Sequence, residues 1–172
     1  MRSLTLTVRS ARISADTAYD RIRHFETYPD LVDEVGSVVI HADARGGPIT
    51  SDWEVYFRNG PLHWSEVDYF QEQQRKITFE QTTGDFDVFR GSWTVEPLDA
   101  GCEVTFNTTF DFGIPSLAGI LEPIAVKVLK EGIALVLHRL LDDAVIVDDP
   151  SVQAAVEAKL ADTRRATPSL SA

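Results

Sequence analysis

The sequence predicts a single α+β domain in which an antiparallel sheet is followed by one long C-terminal helix. Short runs of alternating apolar and polar residues crowd the stretch from 49 to 112, and each is set off from the next by turn-forming or polar residues. From Ser116 to Val147 the period changes from two to the helical 3.6. The chain has 172 residues, 44% of them hydrophobic, which suits one core better than two.

The elements follow in order. Leu4, Leu6 and Val8 alternate with Thr5, Thr7 and Arg9, a half-buried strand over residues 2–13. Ser14 and Asp16 supply N-cap chemistry for a short helix carrying Ala18, Ile22 and Phe25, which Tyr28-Pro29 brings to an end. Pro29 to Glu34 forms a second helical stub leading into a β-branched run, Val35 to His41. A turn at 44–48 opens the meander, with strands expected at 49–58, 61–71, 75–83, 86–97 and 102–112. Asn59-Gly60-Pro61, Glu72 to Gln74, Gly84-Asp85 and Asp99 to Gly101 make the turns between them.

Pro115 closes the last strand, and a long helix is expected over 116–147. With Ile133 as reference and about 100° per residue, Val126, Leu129, Val136, Leu137 and Leu140 cluster on one face, which would cover the sheet. The domain thus spans 1–147. Residues 148–172 form a tail, weakly helical over 152–165 and then disordered.

Charge and composition exclude several functions. Sixteen Lys and Arg against 27 Asp and Glu leave a net charge of −11, a field that repels nucleic-acid phosphates and anionic lipid surfaces. No apolar run is long enough to span a bilayer, and the N-terminus has no signal-type hydrophobic block. A lone cysteine, Cys102, fits a reducing cytoplasm. His24, His41, His63 and His138 lack metal-ligand spacing, so no metal is expected.

On the 61–71 run, Leu62, Trp64, Glu66, Asp68 and Phe70 share one face and His63, Ser65, Val67 and Tyr69 the other; either face satisfies the pattern as the inner one. Trp53, Val55 and Phe57 form the apolar face of the 49–58 run. Phe79 and Gln81 share a face of the next strand but one, and Val104, Phe106, Thr108, Phe110 and Phe112 share a face of the last. On 86–97 the face Phe89, Gly91, Trp93, Val95 leaves Arg90 outward, whereas the opposite parity makes Arg90 a carbonyl polariser.

One strand, two short helices, six strands and a long helix is an order that resembles the START/Bet v 1-like superfamily. Tyr28-Pro29-Asp30-Leu31, Trp64, and Thr83-Gly84-Asp85-Phe86 followed by Trp93 are similar to motifs of its bacterial polyketide cyclase/aromatase branch. The resemblance implies a helix-grip fold, with a curved seven-stranded antiparallel sheet and the long helix enclosing a cavity. It also implies cofactor-free positioning and acid–base catalysis on a folded poly-β-ketone, and it places Trp64 inside. The chain departs from the branch at four positions: Glu66 and Asp68 replace a serine and an arginine, Val35 a tyrosine, and Leu62 a tryptophan.

These readings lead to two functions. The first is a polyketide cyclase-type enzyme with Glu66, Asp68 and Arg90 as candidate catalytic residues. Tyr28, Trp53, Phe57, Trp64, Phe79, Gln81, Phe89, Trp93, Phe106, Thr108 and Phe110 would bind its hydrophobic, carbonyl-rich substrate, free or presented by an acyl carrier protein. Two carboxyls in an apolar pocket have raised pKa values suited to acid–base work near neutrality. The alternative is a non-catalytic carrier of an apolar small molecule such as a lipid or quinone. Both require an apolar cavity of about 300 Å³ or more.

Overall fold

The structure, a computed structural model, describes residues 1–42, 45, 47–58 and 60–166. The chain opens with β1 (Arg2–Ser10), whose Leu4, Leu6 and Val8 point inward. Helix α1 (Ala15–Arg23) is capped by Ser14, whose Oγ accepts from the Thr17 N–H, and it buries Ala18, Tyr19 and Ile22. A 3₁₀ turn at Phe25–Thr27 leads into the four-residue helix α2 (Tyr28–Leu31), with Pro29 in its first turn, where a missing N–H costs nothing.

The meander is β2 (Val35–His41), β3 (Ile49–Phe57), β4 (Gly60–Gln71), β5 (Lys76–Gly84), β6 (Val88–Pro97) and β7 (Cys102–Asp111). Helix α3 (Ala118–Leu140), strand β8 (Val145–Ile146) and helix α4 (Pro150–Ala166) complete the chain. Among the described residues the strands form one antiparallel sheet in the order β2-β3-β4-β5-β6-β7-β1-β8. This is the helix-grip architecture, with one strand more than the seven expected.

The extra strand and the early end of α3 have one cause. Helix was expected to Val147, but Leu141 is already extended. Asp143 accepts from the Ser10 hydroxyl and from the Ala11 N–H at 3.0 Å, which pins the segment to the end of β1. Ile146 then pairs with Val8, and the Val147 N–H donates to the Thr7 carbonyl at 2.9 Å. These bonds supply polar partners that another turn of helix would have had to provide.

The tail is more ordered than its composition predicts. Over residues 150–166 it is a helix that packs on α3, with Val152 and Val156 buried and Leu160 half-buried against the core. Ala134 and Leu135, off the sheet-facing stripe of α3, are buried as well. The disorder expected beyond residue 166, and parts of the turns at 44–48 and at Asn59, lie outside the described residues.

Strand β6 begins two residues later than the pattern suggests, because Asp85 to Asp87 form a tight turn that drives Phe86 inward. Gly84 makes the turn possible. Its φ is +150°, and a Cβ there would lie 2.5 Å from the Trp64 Cα, so only glycine fits against this tryptophan. Among the described residues no helix is long and apolar enough to cross a membrane.

Candidate active site

The concave face of the sheet and α3 enclose a cavity of about 70 Å³, smaller than the few hundred expected. Aromatic rings fill the difference. Trp53 and Trp64 are register partners on β3 and β4, and their rings stack with centroids 5.8 Å apart and planes 2° from parallel. Phe89 continues the wall 5.0 Å from Trp64, Phe79 stacks on Phe106 at 5.9 Å, and Trp93 closes on Phe106 at 4.7 Å. Phe25 and Tyr28 set their ring edges against Trp53 from the helical side. Leu129, Gly132, Ile133 and Val136 of α3 form the remaining side.

A buried carboxyl pair is set in this wall. Glu66 lines the cavity at 3% exposure, and Asp68, two residues along the same face of β4, is buried beside it at 1%. The Trp64 indole N–H donates to Glu66 Oε1 at 2.7 Å. Ser51, with 0% exposure on β3, donates its hydroxyl to Asp68 Oδ2 at 2.6 Å and accepts from the Trp53 indole N–H at 2.8 Å.

The directions of these bonds are forced, because an indole N–H can only donate. With Trp53 donating to Ser51, the single proton of that hydroxyl goes to Asp68. Asp68 Oδ1 is buried without a hydrogen-bond partner. Each acid thus accepts one side-chain bond, Glu66 from Trp64 and Asp68 from Ser51. Burial first, then the hydrogen bond and charge of Asp68, push the Glu66 carboxyl well above its usual range; the Trp64 indole works the other way. Burial raises Asp68 too, against the bonds from Glu66 and Ser51 that favour its ionised form.

Of the residues singled out from sequence, Tyr28, Trp53, Trp64, Glu66, Phe79, Phe89, Trp93 and Phe106 line the cavity. The rest do not. Arg90 is exposed on the convex face opposite Glu80 and Thr109, because Phe89 and Trp93 occupy the inner parity of β6; it is no carbonyl polariser here. Thr108 points inward, but its hydroxyl is committed to the Arg90 carbonyl at 2.9 Å. Gln81 uses both ends of its amide on the Phe86 backbone, at 2.8 and 3.3 Å, and so fastens the β5–β6 turn. Phe110 is buried among Phe86 and Phe112 beyond the cavity, and Phe57 is half-buried near the end of β3 without reaching it. Gly91 makes room for protein, since a Cβ there would meet Asn107 O at 2.0 Å and Phe79 Cζ at 2.8 Å.

Sequence reasoning missed Ser51, although it shares strand parity with Trp53. It also missed Glu34, which lines the cavity next to Val35, the residue that stands where the resemblance places a tyrosine. Glu34 is ion-paired with Lys159 of α4, so the C-terminal helix is tied to the cavity wall. Among the described residues no cluster of His, Cys, Asp or Glu is arranged to hold a metal ion.

The family model for polyketide cyclase / dehydrase and lipid transport matches residues 12–134, which includes both carboxyls and all of the aromatic wall. The chain belongs to this family, within the START/Bet v 1-like fold. No curated protein matches its sequence. Solved structures of the same fold include a Thermus thermophilus protein at 21% identity and a TM-score of 0.72, covering 90% of this chain and 99% of that one. A Streptomyces aromatase/cyclase superposes with a TM-score of 0.66 at 19% identity, covering 82% and 92% of the two chains. Norcoclaurine synthase from Thalictrum flavum, solved with dopamine and hydroxybenzaldehyde, gives 0.62 at 16% identity over 81% and 85%. At these identities the likeness concerns the fold.

Proposed function

We propose that the protein is a cofactor-free enzyme of the cyclase type, which folds a hydrophobic, carbonyl-rich substrate in the cavity and closes a ring by acid–base catalysis. The observation that carries this reading is the Glu66–Asp68 pair, two adjacent carboxyls buried among aromatic rings, both pushed up by burial, with Glu66 lining the cavity. Protonated Glu66 gives its proton to a ketone oxygen while the enol carbon of the same substrate attacks the ketone carbon. The new C–C bond leaves an alcohol, and the enol O–H proton returns to the Glu66 carboxylate. Asp68 holds Glu66 in place and stabilises its protonated form. The aromatic walls set the fold of the substrate and exclude water.

The apolar lining equally suits a carrier of a lipid or quinone, and the two readings separate on proton transfer. The test uses a poly-β-ketone surrogate presented as an N-acetylcysteamine thioester, with cyclised product followed by mass spectrometry. Glu66→Gln keeps the shape and removes the proton, so turnover is expected to fall about 10² to 10⁴-fold with surrogate binding retained. Binding without turnover in the unaltered protein, or turnover unchanged in both Glu66→Gln and Asp68→Asn, favours the carrier.

A further inference from the structure

The polar groups around the cavity are unevenly committed. The N–H groups of Trp53 and Trp64 are spent on Ser51 and Glu66, and the Tyr28 hydroxyl donates to the Ile22 carbonyl at 2.7 Å. Trp93 carries the one indole N–H without a partner among the described residues. Against that single donor stand Glu34, which is ion-paired with Lys159, and the two buried carboxyls, with Asp68 Oδ1 lacking any protein donor. No Lys, Arg or His side chain lines the cavity. An ionised carboxyl of the Glu66–Asp68 pair has no counter-ion among the residues that line this box of aromatic rings. Such a charge is costly unless something neutralises it.

A carbonyl oxygen alone does not answer that need, since it brings another acceptor to a wall already rich in acceptors. A positively charged nitrogen does: ring faces attract it, the carboxyl pair balances its charge, and the net charge of −11 draws cations toward the protein. We infer that the cavity selects a hydrophobic ligand whose buried head is a protonated or quaternary amine, held against Trp53 and Trp64 and neutralised by the Glu66–Asp68 pair. The inference rests on the proposed reading only in taking the cavity as the substrate site, and it names the charge that the substrate carries there.

Benzylamine, benzyltrimethylammonium and benzyl alcohol share one ring and differ in charge, so they are the probes, titrated by quenching of tryptophan fluorescence. Both cations are expected to bind about tenfold or more tightly than the alcohol. Glu66→Gln and Asp68→Asn, checked for folding by circular dichroism, are expected to remove that preference, so that cations and alcohol bind alike. Alcohol binding as tight as the cations, no binding of either cation, or a preference that survives both substitutions overturns the inference. The ketone-surrogate assay is independent: turnover without cation preference removes the amine and keeps the enzyme, and cation preference without turnover does the reverse.

Discussion

Replacing Ser51 by alanine tests the directed bond network at the residue that sets its polarity. Ser51 has no solvent exposure, so its removal takes away two buried bonds with no water to replace them. A neutral hydrogen bond contributes about 0.5–1.5 kcal/mol and one to an ionised group about 1.5–3, so the cost with Asp68 ionised is about 2–4.5 kcal/mol. It lies toward the lower end if the half-buried Trp53 turns its N–H to water. The larger part depends on Asp68 being ionised. Without the Ser51 donor the folded-state pKa of Asp68, already raised by burial, rises further. A raised folded-state pKa means stability that is full below the unfolded value, about 3.9 for aspartate, and lost as pH rises through the folded value. The gap between Ser51→Ala and the unaltered protein therefore widens with pH. Urea unfolding at pH 4, 6 and 8 measures it, and a gap under about 0.5 kcal/mol that stays flat across the series would refute the network.

Two more outcomes follow from the same geometry. Glu66 has a folded-state pKa well above the ordinary range, so the protein loses stability as pH climbs from about 4.3 through that value; Glu66→Gln stays neutral and flattens the slope, which urea midpoints at pH 4, 7 and 9 detect. Lys159→Ala breaks the tie from α4 to Glu34 at the cavity wall, where both side chains are partly exposed, so it should cost under about 1 kcal/mol. The same change is expected to speed benzylamine association in stopped flow; an unchanged rate means that α4 does not control entry.

Strand parity made much of this architecture legible. Leu62, Trp64 and Phe70 put Glu66 and Asp68 on a common face of β4, and Phe89, Trp93 and Val95 share a face of β6, but the pattern left the inner side of both strands open, and it was the resemblance that put Trp64 inside. Parity states which way a residue points and not what it meets. Thr108 and Gln81 point inward but are consumed by backbone groups of neighbouring strands, and Phe110 lies past the end of the cavity. Ser51 was on the correct face, but a serine beside a tryptophan has no period of its own to distinguish it. The segment after Leu140 eluded the pattern because Asp143 answers to Ser10, far away in sequence.

The size of the cavity bears on how the site discriminates. At about 70 Å³ it falls well short of the roughly 300–1,000 Å³ usual for ligand pockets, so a substrate must part some of the rings that fill it. Moving Trp53 breaks its stack with Trp64 and its edge contacts with Phe25 and Tyr28, three interactions worth about 0.5–1.5 kcal/mol each. Opening therefore costs about 1.5–4.5 kcal/mol. A ring-sized ligand that hides about 150–200 Å² of apolar surface returns about 4–5 kcal/mol at 25 cal/mol per Å². The two nearly offset, so apolar contact alone gives weak binding and poor selection among hydrophobic molecules. What remains to decide occupancy is the interaction with Glu66, a carboxyl buried in the wall, backed by Asp68 and held by the Trp64 indole N–H. A family pocket otherwise suited to any greasy molecule thereby gains a polar criterion, and the aromatic filling makes that criterion count by leaving so little margin without it.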